Sequence, residues 1–352
     1  MLSNSELPDR LRAALQAVDH RWRDVPLEPL RDKGLAHHHV RLVGAGALAR
    51  VPKQSQLGLS AAANLAYQRA CFECASVSGC TPQYLGFLPV SVDLPRGALL
   101  VQEVVGRSAL LPADLPGIAG SLAALHTLAL PLASARAPLL NAVDPLAALA
   151  DEIGEQAAHV PAVSLDRSVA LTLDRELGRL RRLCSATARP ERRFIAFDAH
   201  PGNFIVDAQD RAVLVDLEKC RYSYPGLDLA HATLYTSTTW DVDTRASLTV
   251  RELLDFYAAW SAATGPLGTG AQAWHVPLRR AMWLWSISWC VKWRALSGLP
   301  AMANADGEDW AAERSDTALI AHVRDRVDHY LSPGIVGQLL DEFDALERAF
   351  CA

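Results

Sequence analysis

The chain has 352 residues, of which 50% are hydrophobic and 21% are charged, and its formal net charge is −5. This length is enough to bury two hydrophobic cores, and it favours two domains. The mild acidity is spread along the chain rather than gathered in blocks, which excludes the basic surface typical of a nucleic-acid-binding protein.

The N-terminal residues and the cysteines indicate the compartment in which the protein works. The opening MLSNSELPDRLRAAL is polar and charged, unlike a secretory signal. Apolar residues nowhere continue for the roughly 18 positions that a membrane span needs. Seven cysteines, an odd number, suit a reducing compartment. We therefore expect a cytoplasmic protein, monomeric or homodimeric, that binds neither a membrane nor nucleic acid.

The first elements along the chain are a helix and two short strands. An amphipathic helix is predicted from Asn4 to Val18, where leucines recur at helical spacing. The strands are predicted at Val40–Val43 and Leu48–Val51, with Gly44-Ala-Gly46 between them. This Gly-x-Gly could cradle a phosphate. A hairpin turn is the simpler interpretation, because glycine accepts the positive φ angles that such turns need.

Three consecutive histidines, His37 to His39, precede the first strand. Histidine clusters can bind metal ions. Neighbouring residues of an extended segment point to opposite faces, however, so three rings cannot easily converge on one ion. We predict a polar loop from Gly34 to His39 at this place.

Longer elements follow in the rest of the chain. A helix is predicted from Ser60 to Val77, in which Glu73 is the only carboxylate, and a strand is predicted within Gly97–Arg107. The second half of the chain is mainly helical, and His126 in its first helix is expected in the core or at a cap. The predicted helices of this half are Leu115–Leu128, Asp144–His159, Ser168–Ala186, Arg251–Thr264, Ala271–Leu296, Asp316–Tyr330 and Pro333–Phe350.

Aromatic residues are concentrated in the C-terminal part. Eight of the nine tryptophans lie at or after position 240, and Trp285, Trp289 and Trp293 recur at four-residue spacing. Such a stripe on one helix face is typical of a core. The alternative is an aromatic wall that attracts a cationic substrate. Asp241 and Asp243 could supply carboxylates to an amine, or could form a solvated helix-cap cluster.

The segment from Phe194 to Asp216, FIAFDAHPGNFIVDAQDRAVLVD, has the pattern of a catalytic site. Asp198 begins a D-x4-N element that ends at Asn203, a Pro-Gly pair turns the chain between them, and Asp216 closes an apolar strand. Metal-assisted phosphoryl transfer needs acidic and amide oxygens for Mg²⁺ and an acidic group that orients the attacking hydroxyl. The order of these residues therefore indicates phosphoryl transfer.

At these residues the chain resembles a known family. DAHPGNFIVD followed by VLVDLEK is similar to the catalytic loop and metal-binding strand of the aminoglycoside phosphotransferase and choline kinase superfamily. The resemblance covers about residues 30–300. It implies an α+β, two-lobed protein-kinase-like fold, with a small antiparallel-sheet N-lobe and a larger helical C-lobe. The nucleotide-binding lobe would be residues 1–104, and the catalytic and substrate-binding lobe would be residues 105–352.

The resemblance also implies the catalytic residues. Asp198 would orient the acceptor hydroxyl and accept its proton, and Asn203 and Asp216 would hold Mg²⁺. Asp228, in PGLDLAHAT, resembles the family's buried aspartate that braces the catalytic loop, and its place near a helix start suggests that it caps free N–H groups. One position departs from the family, which carries histidine two residues before the catalytic aspartate; this chain has Ala196.

Further residues are implied for ATP. Gly34 and the loop after it would cover the nucleotide. Arg50 would reach the phosphates, with Lys53 as the alternative. Glu103 and Val104, in the hinge between the lobes, would offer main-chain groups to the adenine.

The partner of Arg50 is left open between two residues. Glu73 is the carboxylate of the helix, whereas the family's glutamate aligns with Gln68. Five residues apart, the two side chains face directions roughly 140° different on a helix, so only one of them can point at Arg50.

These observations predict an ATP-dependent phosphotransferase that moves the γ-phosphate to a hydroxyl of a small molecule. An amino alcohol, an aminoglycoside or a sugar-like compound is expected, and a cationic acceptor is compatible with the mild acidity. The alternative, supported by Ala196 and by the uncertain acidic partner of Arg50, is a catalytically weak or inactive kinase-like protein that binds a nucleotide or metabolite. A protein Ser/Thr kinase is disfavoured, because H-R-D, D-F-G and A-P-E sequences are absent.

Overall fold

A computed structural model of the chain describes residues 6–31, 34–302 and 304–351. The chain divides into two compact units. The first comprises Met1–Val77, Thr81–Val104 and Leu296–Val323, and the second comprises Ser78–Cys80, Val105–Ala295 and Arg324–Ala352. The first unit contains an antiparallel sheet and the second is mainly helical, so the predicted α+β class is confirmed.

The first unit is built on five strands. They are β1 (Leu27–Pro29), β2 (His37–Leu42), β3 (Ala47–Pro52), β4 (Tyr84–Leu88) and β5 (Ala98–Gln102). All neighbouring strands are antiparallel, in the order β1-β2-β3-β5-β4. Helices α1 (Leu7–Ala17) and α2 (Ala61–Ala75) belong to the same unit.

Helix α1 covers part of the sheet with its apolar face. Leu7, Leu11 and Leu15 repeat at helical spacing, are buried, and share a core with residues of β2, β3 and β5. Alternate residues of a strand face the same side, which lets Val40 and Leu42 of β2 enter this core together. The predicted helix is therefore confirmed from Leu7 onward; positions 4 and 5 lie outside the described residues.

The connection between β2 and β3 is a glycine turn. Gly44 and Gly46 have φ angles of 79° and 61°, in the left-handed region that glycine adopts without a steric penalty. The predicted hairpin turn at Gly44-Ala-Gly46 is therefore confirmed.

The predicted loop from Gly34 to His39 is wrong in its second half. β2 begins at His37 and pairs with β3 along its whole length, so that His39 lies opposite Arg50. The histidines are polar, but β3 continues to Pro52 and offers them backbone partners in the antiparallel ladder. The pairing partner, and not the polarity of the segment, decides where the strand begins.

The predicted boundary of the C-terminal domain needs a correction. Residues 296–323 were predicted to belong to it, but they group with the first unit. The Ser55 N–H donates to the Gly307 carbonyl at 2.9 Å, and the Asp309 N–H donates to Oε1 of Gln54 at 2.8 Å. The latter two residues are 255 positions apart in the chain, so no local pattern could indicate the contact.

The second unit contains short strands among helices. The strands are β6 (Gly106–Ser108), β7 (Arg193–Ile195), β8 (Phe204–Asp207), β9 (Ala212–Leu214) and β10 (Arg221–Ser223). One antiparallel sheet has the order β6-β8-β9, and β7 pairs with β10. The loop between β7 and β8 and the turn between β9 and β10 carry the segment that was predicted to be catalytic.

Helices make up most of the remaining chain. They are α3 (Leu115–His126), α4 (Pro145–Ala157), α5 (Arg167–Ser185), α6 (Pro225–Thr233), α7 (Tyr235–Thr238), α8 (Val250–Thr264), α9 (Pro266–Ala271), α10 (His275–Leu296), α11 (Thr317–Tyr330) and α12 (Pro333–Cys351). The predicted helix from Ala271 starts later, at His275, because a 3₁₀ turn at Gln272–Trp274 separates it from α9. Among the described residues, no helix combines the length and apolar character that crossing a membrane requires.

Candidate active site

The loop between β7 and β8 brings the predicted catalytic residues together. Asp198 lies in this loop, and Asn203 ends the 3₁₀ turn Pro201–Asn203 that the Pro-Gly pair predicted. Nδ2 of Asn203 donates a hydrogen bond to the backbone carbonyl of Asp198 at 2.8 Å. The Val215 N–H donates to the Asn203 carbonyl at 2.9 Å, which places Asp216 immediately beyond the loop.

Asp228 on α6 braces the start of this loop. Its Oδ2 accepts from the Ala196 N–H at 2.8 Å, and its Oδ1 accepts from the Phe197 N–H at 2.7 Å. Phe197 has a φ of 64°, a conformation that costs a non-glycine residue free energy and persists where the surroundings hold it. The predicted brace is therefore present. The predicted cap is wrong, because these bonds go to the loop, and the N-cap of α6 is Tyr224 without a side-chain bond.

His126 completes the brace from the core. Its Nδ1 lies 3.0 Å from Nε1 of Trp260, and its Nε2 lies 3.0 Å from Oδ2 of Asp228. An indole N–H can only donate, so Nδ1 of His126 accepts from Trp260. The proton of the ring is therefore on Nε2, which donates a hydrogen bond to Oδ2 of Asp228. His126 is fully buried, so the prediction of a core histidine is confirmed.

Asp198 forms a buried ion pair that the sequence did not predict. Its Oδ2 lies 2.7 Å from Nζ of Lys219, and only 14% and 8% of the two side chains are exposed. Burial alone would raise the pKa of Asp198, but the charge of Lys219, together with His200 and His231, holds it well below its usual range. Burial would lower the pKa of Lys219, but Asp198 and the neighbouring carboxylates raise it instead. Both groups are therefore charged.

A histidine from α6 supports the loop that begins at Ala196, the position at which the family usually carries histidine. Nδ1 of His231 lies 3.2 Å from the Phe197 carbonyl and 3.6 Å from Oδ1 of Asp198. Burial lowers the pKa of His231 to about 4, so the ring is neutral and Nδ1 donates to the carbonyl. The signal was present in DLAH, since residues three apart on a helix share a face and Asp228 already points at the loop.

The oxygen atoms beside the loop suit a divalent cation. Asp216 and Glu218 have carboxylate oxygens within 4.8 Å of each other, and Glu218 is buried. Because Nδ2 of Asn203 is bonded to the loop, the amide oxygen is the atom that can bind a cation. Mg²⁺ prefers such carboxylate and amide oxygens, so these residues fit it. Glu218 was missed in the sequence, where it follows Asp216, the predicted metal ligand, by two positions.

In the first unit, Arg50 occupies the predicted strand. It lies on β3 and is buried; its guanidinium carbon is 5.4 Å from the centre of the Phe72 ring. Nη1 of Arg50 is 3.4 Å from Nε2 of His39. The alternative cation, Lys53, lies beyond the strand, as the sequence indicated. Its Nζ donates a hydrogen bond to the Gly34 carbonyl at 3.3 Å and so stabilises the loop that contains Gly34.

Helix α2 directs the two candidate partners of Arg50 to different sides. Glu73 accepts from Nε of Arg69 at 2.8 Å, in an exposed pair one helical turn apart. Gln68 is buried, and its Oε1 is 3.1 Å from Nε2 of His37. Gln68 therefore faces the core of the unit and Glu73 faces outward, which favours Gln68 as the residue on the side of the sheet.

The hinge residues have partners of their own in the first unit. The Glu103 N–H donates to the Gly46 carbonyl at 2.9 Å, and its Oε1 accepts from Nε of Arg41 at 2.6 Å. The Glu103 N–H is thus used within the unit, which corrects the expectation that it serves an adenine. The carbonyl of Glu103 and the main chain of Val104 remain the groups that are predicted to contact the adenine.

The tryptophan stripe on α10 divides into buried and half-buried members. Trp285 and Trp293 are buried, as a core stripe predicts, and Nε1 of Trp285 donates to Oε1 of Glu152 at 2.7 Å. Trp289 is half-buried, and its ring stands edge-on to Trp240 with the centroids 5.6 Å apart. The core interpretation is therefore confirmed for Trp285 and Trp293, and the aromatic wall that would attract a cationic substrate stays a prediction for Trp289.

Asp241 approaches the catalytic loop closely. An ideal Cβ added at Gly202 would lie 2.8 Å from Cβ and 2.9 Å from Oδ2 of Asp241. Only glycine allows this approach. Asp243 is exposed, and its N–H donates to Oδ1 of Asp241 at 2.7 Å. Of the two carboxylates considered in the sequence, Asp241 is the one beside the loop.

We expect Gly202→Ala to lower activity, because its methyl group would push Asp241 and the loop apart. Overpacking of this kind costs about 1–3 kcal/mol, and a displacement near 1 Å at a reacting group lowers a rate by about 100-fold. Thermal unfolding and the phosphoryl-transfer rate measure the two effects. Gly120→Ala is the matched control. Gly120 lies on α3, and a Cβ added there would have no atom within 4 Å. This variant should gain up to about 1 kcal/mol in free energy of unfolding, because alanine favours the helix more than glycine does. An active, undestabilised Gly202→Ala protein would contradict the close approach.

Several solved structures of similar fold are kinases. A choline/ethanolamine kinase family protein from Mesorhizobium loti is 17% identical, with a TM-score of 0.58, and the match covers 96% of this chain and 99% of that one. Choline kinase LicA from Streptococcus pneumoniae is 15% identical, with a TM-score of 0.55, over 90% and 98% of the two chains. The GDP complex of aminoglycoside 2′-phosphotransferase-IIIa is 17% identical, with a TM-score of 0.54, over 92% and 98%. The protein therefore has a kinase-like fold, as the resemblance implied.

The sequence itself identifies the family. The profile of the phosphotransferase enzyme family matches residues 59–266, which is more than half of the chain. The chain belongs to this family. No curated protein matches it significantly in sequence.

Proposed function

We propose that this protein transfers the γ-phosphate of ATP to a hydroxyl group of a small molecule. The observation that carries the proposal is the arrangement of Asp198, Asn203 and Asp216 on one braced loop and the strand beside it. Family membership supports phosphoryl transfer, and the choline and aminoglycoside kinases of similar fold support a small-molecule acceptor.

In the proposed reaction Asp198 receives the acceptor. Its carboxylate hydrogen-bonds the hydroxyl, orients the oxygen towards the γ-phosphorus and accepts the proton. The new bond joins that oxygen to phosphorus; the bond between phosphorus and the β–γ bridging oxygen breaks, and ADP leaves with the electron pair. Little covalent chemistry is required of the protein, so positioning and electrostatics supply most of the rate.

Other residues bind the nucleotide in this proposal. Asn203, Asp216 and Glu218 would hold Mg²⁺, which when bound neutralises charge on the phosphates. Arg50 contacts the phosphates through its planar guanidinium, which suits bidentate binding of phosphate oxygens. The loop at Gly34 covers the nucleotide, and the carbonyl of Glu103 with the main chain of Val104 binds the adenine.

We further infer that the acceptor carries a positive charge. Asp241 offers a partly exposed carboxylate beside the catalytic loop. Trp240, the preceding residue, and Trp289 are also partly exposed, and indole faces attract ammonium groups. A carboxylate next to aromatic rings is the chemistry that would select an amino alcohol or another aminated hydroxyl compound.

The alternative of an inactive kinase-like protein loses one of its two arguments. That argument is Ala196, which removes the usual loop histidine. His231 contacts the same loop from α6 and lies 3.6 Å from Asp198, so the loop has an imidazole support of different origin. The other argument, the uncertain acidic partner of Arg50, stands, because Glu73 pairs with Arg69 on the exposed side of α2.

A transfer assay tests the proposal. Purified protein is incubated with ATP, Mg²⁺ and each of a panel of acceptors: choline, ethanolamine, gentamicin and uncharged sugars. ADP release and phosphorylated product are measured, and binding is followed by thermal shift, because a ligand that binds the native state raises its stability. ADP release with an aminated acceptor is expected. Absence of phosphorylated product for every acceptor, in protein that is folded and binds ATP, would refute the proposal.

We expect Asp241→Asn to weaken a cationic acceptor selectively. Removal of one charge from an ion pair at a partly exposed site costs up to about 1 kcal/mol, so KM for the aminated acceptor should rise up to about fivefold. KM for ATP should stay unchanged. Asp243→Asn is the matched control, because Asp243 is exposed and lies two residues away. An equal rise of KM in both variants, or none in either, would argue against the assigned role of Asp241.

A further inference from the structure

Lys219 has no role in the reaction described so far, although its ammonium lies at the catalytic aspartate. It follows β9 in the turn that leads to β10. Its Nζ is 2.7 Å from Oδ2 of Asp198 and 5.3 Å from the centre of the Trp285 ring. The sequence VLVDLEK contains this residue directly after the metal-binding pattern, but its spacing from Asp198 gives no hint that the two meet.

Stability does not explain a buried pair of this kind. Removing an ammonium and a carboxylate from water is costly, and apolar residues of similar volume are often as stabilising or more so. The pair also lies beside the candidate Mg²⁺ site, since Glu218 directly precedes Lys219 in the chain.

A second layer of residues holds Lys219 in place. Nε of Arg221 donates to the Lys219 carbonyl at 3.3 Å, and the guanidinium of Arg221 lies 3.5 Å from the centre of the Phe197 ring. Glu152 on α4 accepts from Nη1 of Arg221 at 2.9 Å and from Nε1 of Trp285 at 2.7 Å. Main chain and neighbouring ring are thus both anchored, which is the arrangement expected around a group whose position matters for function.

We propose that Lys219 is a positioning residue of the phosphoryl-transfer site, which holds Oδ2 of Asp198 so that Oδ1 faces the acceptor hydroxyl. The proposal rests on the proposed function. Lys219 occupies one carboxylate oxygen, and the neutral His231 lies beside the other at 3.6 Å without a short bond. The acceptor hydroxyl therefore has one defined oxygen to bind. An aspartate without this anchor could rotate and present its oxygens in other directions.

The structure offers a set of variants that separates positioning from stability. Lys219→Met keeps length and volume but removes the charge, and Lys219→Arg keeps the charge. The matched control is Arg280→Met on α10, which removes a buried cation from its pairs with Glu176 and Asp344 in the same unit. Breaking either buried pair should lower stability to a similar degree. Only the Lys219 variants should change catalysis.

We would measure kcat, KM for ATP–Mg²⁺ and KM for the best aminated compound of the panel. ATP hydrolysis, in which water is the acceptor, is measured separately. Urea unfolding gives the free energy of unfolding of each variant. Lys219→Met should lower kcat by about 100-fold to 1000-fold, the range for loss of one fixed electrostatic contact at a reacting group. KM of Lys219→Met for ATP should change by less than about threefold. Lys219→Arg, which keeps the charge, should have a kcat at least about tenfold higher than that of Lys219→Met. Arg280→Met should keep its kcat.

Each outcome decides between the hypotheses. Wild-type protein without transfer or ATP hydrolysis would overturn the proposed function and the role of Lys219 with it. Active wild type with an equally active Lys219→Met variant would overturn the role of Lys219 alone. Equal loss of kcat in Lys219→Met, Lys219→Arg and Arg280→Met would show that the pair only stabilises the fold.

Discussion

Asp198→Asn is expected to abolish phosphoryl transfer while leaving ATP binding nearly unchanged. The amide is nearly isosteric with the carboxylate, but it cannot accept the hydroxyl proton, and loss of a positioned general base lowers a rate by about 100-fold to 10,000-fold. Its oxygen can still accept from Lys219, so the loop should keep its conformation. The measurement is kcat for the best acceptor, with ATP affinity from thermal shift or calorimetry.

The control for this variant is Asp255→Asn. Asp255 lies on α8 in an exposed pair with Arg251, and the change there should leave both kcat and ATP affinity unaltered. Turnover by Asp198→Asn within about tenfold of wild type, below the range for loss of a general base, would refute its assignment as the base. Loss of ATP binding together with turnover would instead indicate that the loop had collapsed.

Asp228→Ala should be the most destabilising single change that we consider. The aspartate is fully buried and accepts from two backbone N–H groups and from His126. Removing it leaves three buried donors without an acceptor, which costs about 1–3 kcal/mol for each donor. The loop that presents Asp198 would lose its anchor, so we also expect activity to fall. Urea unfolding and CD measure the free energy of unfolding.

Asp166→Ala is the matched control for the brace. Asp166 caps α5 by accepting from the Ser168 N–H at 2.7 Å, and it is exposed, so the loss of this bond should cost only about 1 kcal/mol. Asp228→Asn should be intermediate, because its single carbonyl oxygen can replace only part of the carboxylate. Equal destabilisation by Asp166→Ala and Asp228→Ala would contradict the proposed importance of burial.

The local part of the site could be predicted because its residues are neighbours in the chain. D-x4-N, the Pro-Gly turn and the apolar strand ending at Asp216 lie within one segment, and the short loop leaves few ways to arrange them. The same holds for the glycine turn at Gly44-Ala-Gly46 and the amphipathic face of α1. In each case the backbone preference or the periodicity of nearby residues is enough to specify the structure.

The supporting part of the site could not be predicted, because it comes from distant elements. Lys219 and His231 reach Asp198 from the turn before β10 and from α6, and Glu152 holds Arg221 from α4, 69 positions earlier in the chain. A spacing pattern does not report which side chains face one another across a fold. The strand character of His37 and the grouping of residues 296–323 were missed for the same reason, since both depend on a pairing partner elsewhere.

The sequence by itself indicated phosphoryl transfer through the spacing of Asp198, Asn203 and Asp216 and the turn between them, and its resemblance to a known family implied the kinase-like fold. Tertiary structure decided what surrounds Asp198. Burial and tertiary packing select Lys219 and His231 as its neighbours, and these contacts set the charge and direction of the carboxylate. The physical reason is that electrostatics in a buried site depend on distances through space, which the chain order does not contain.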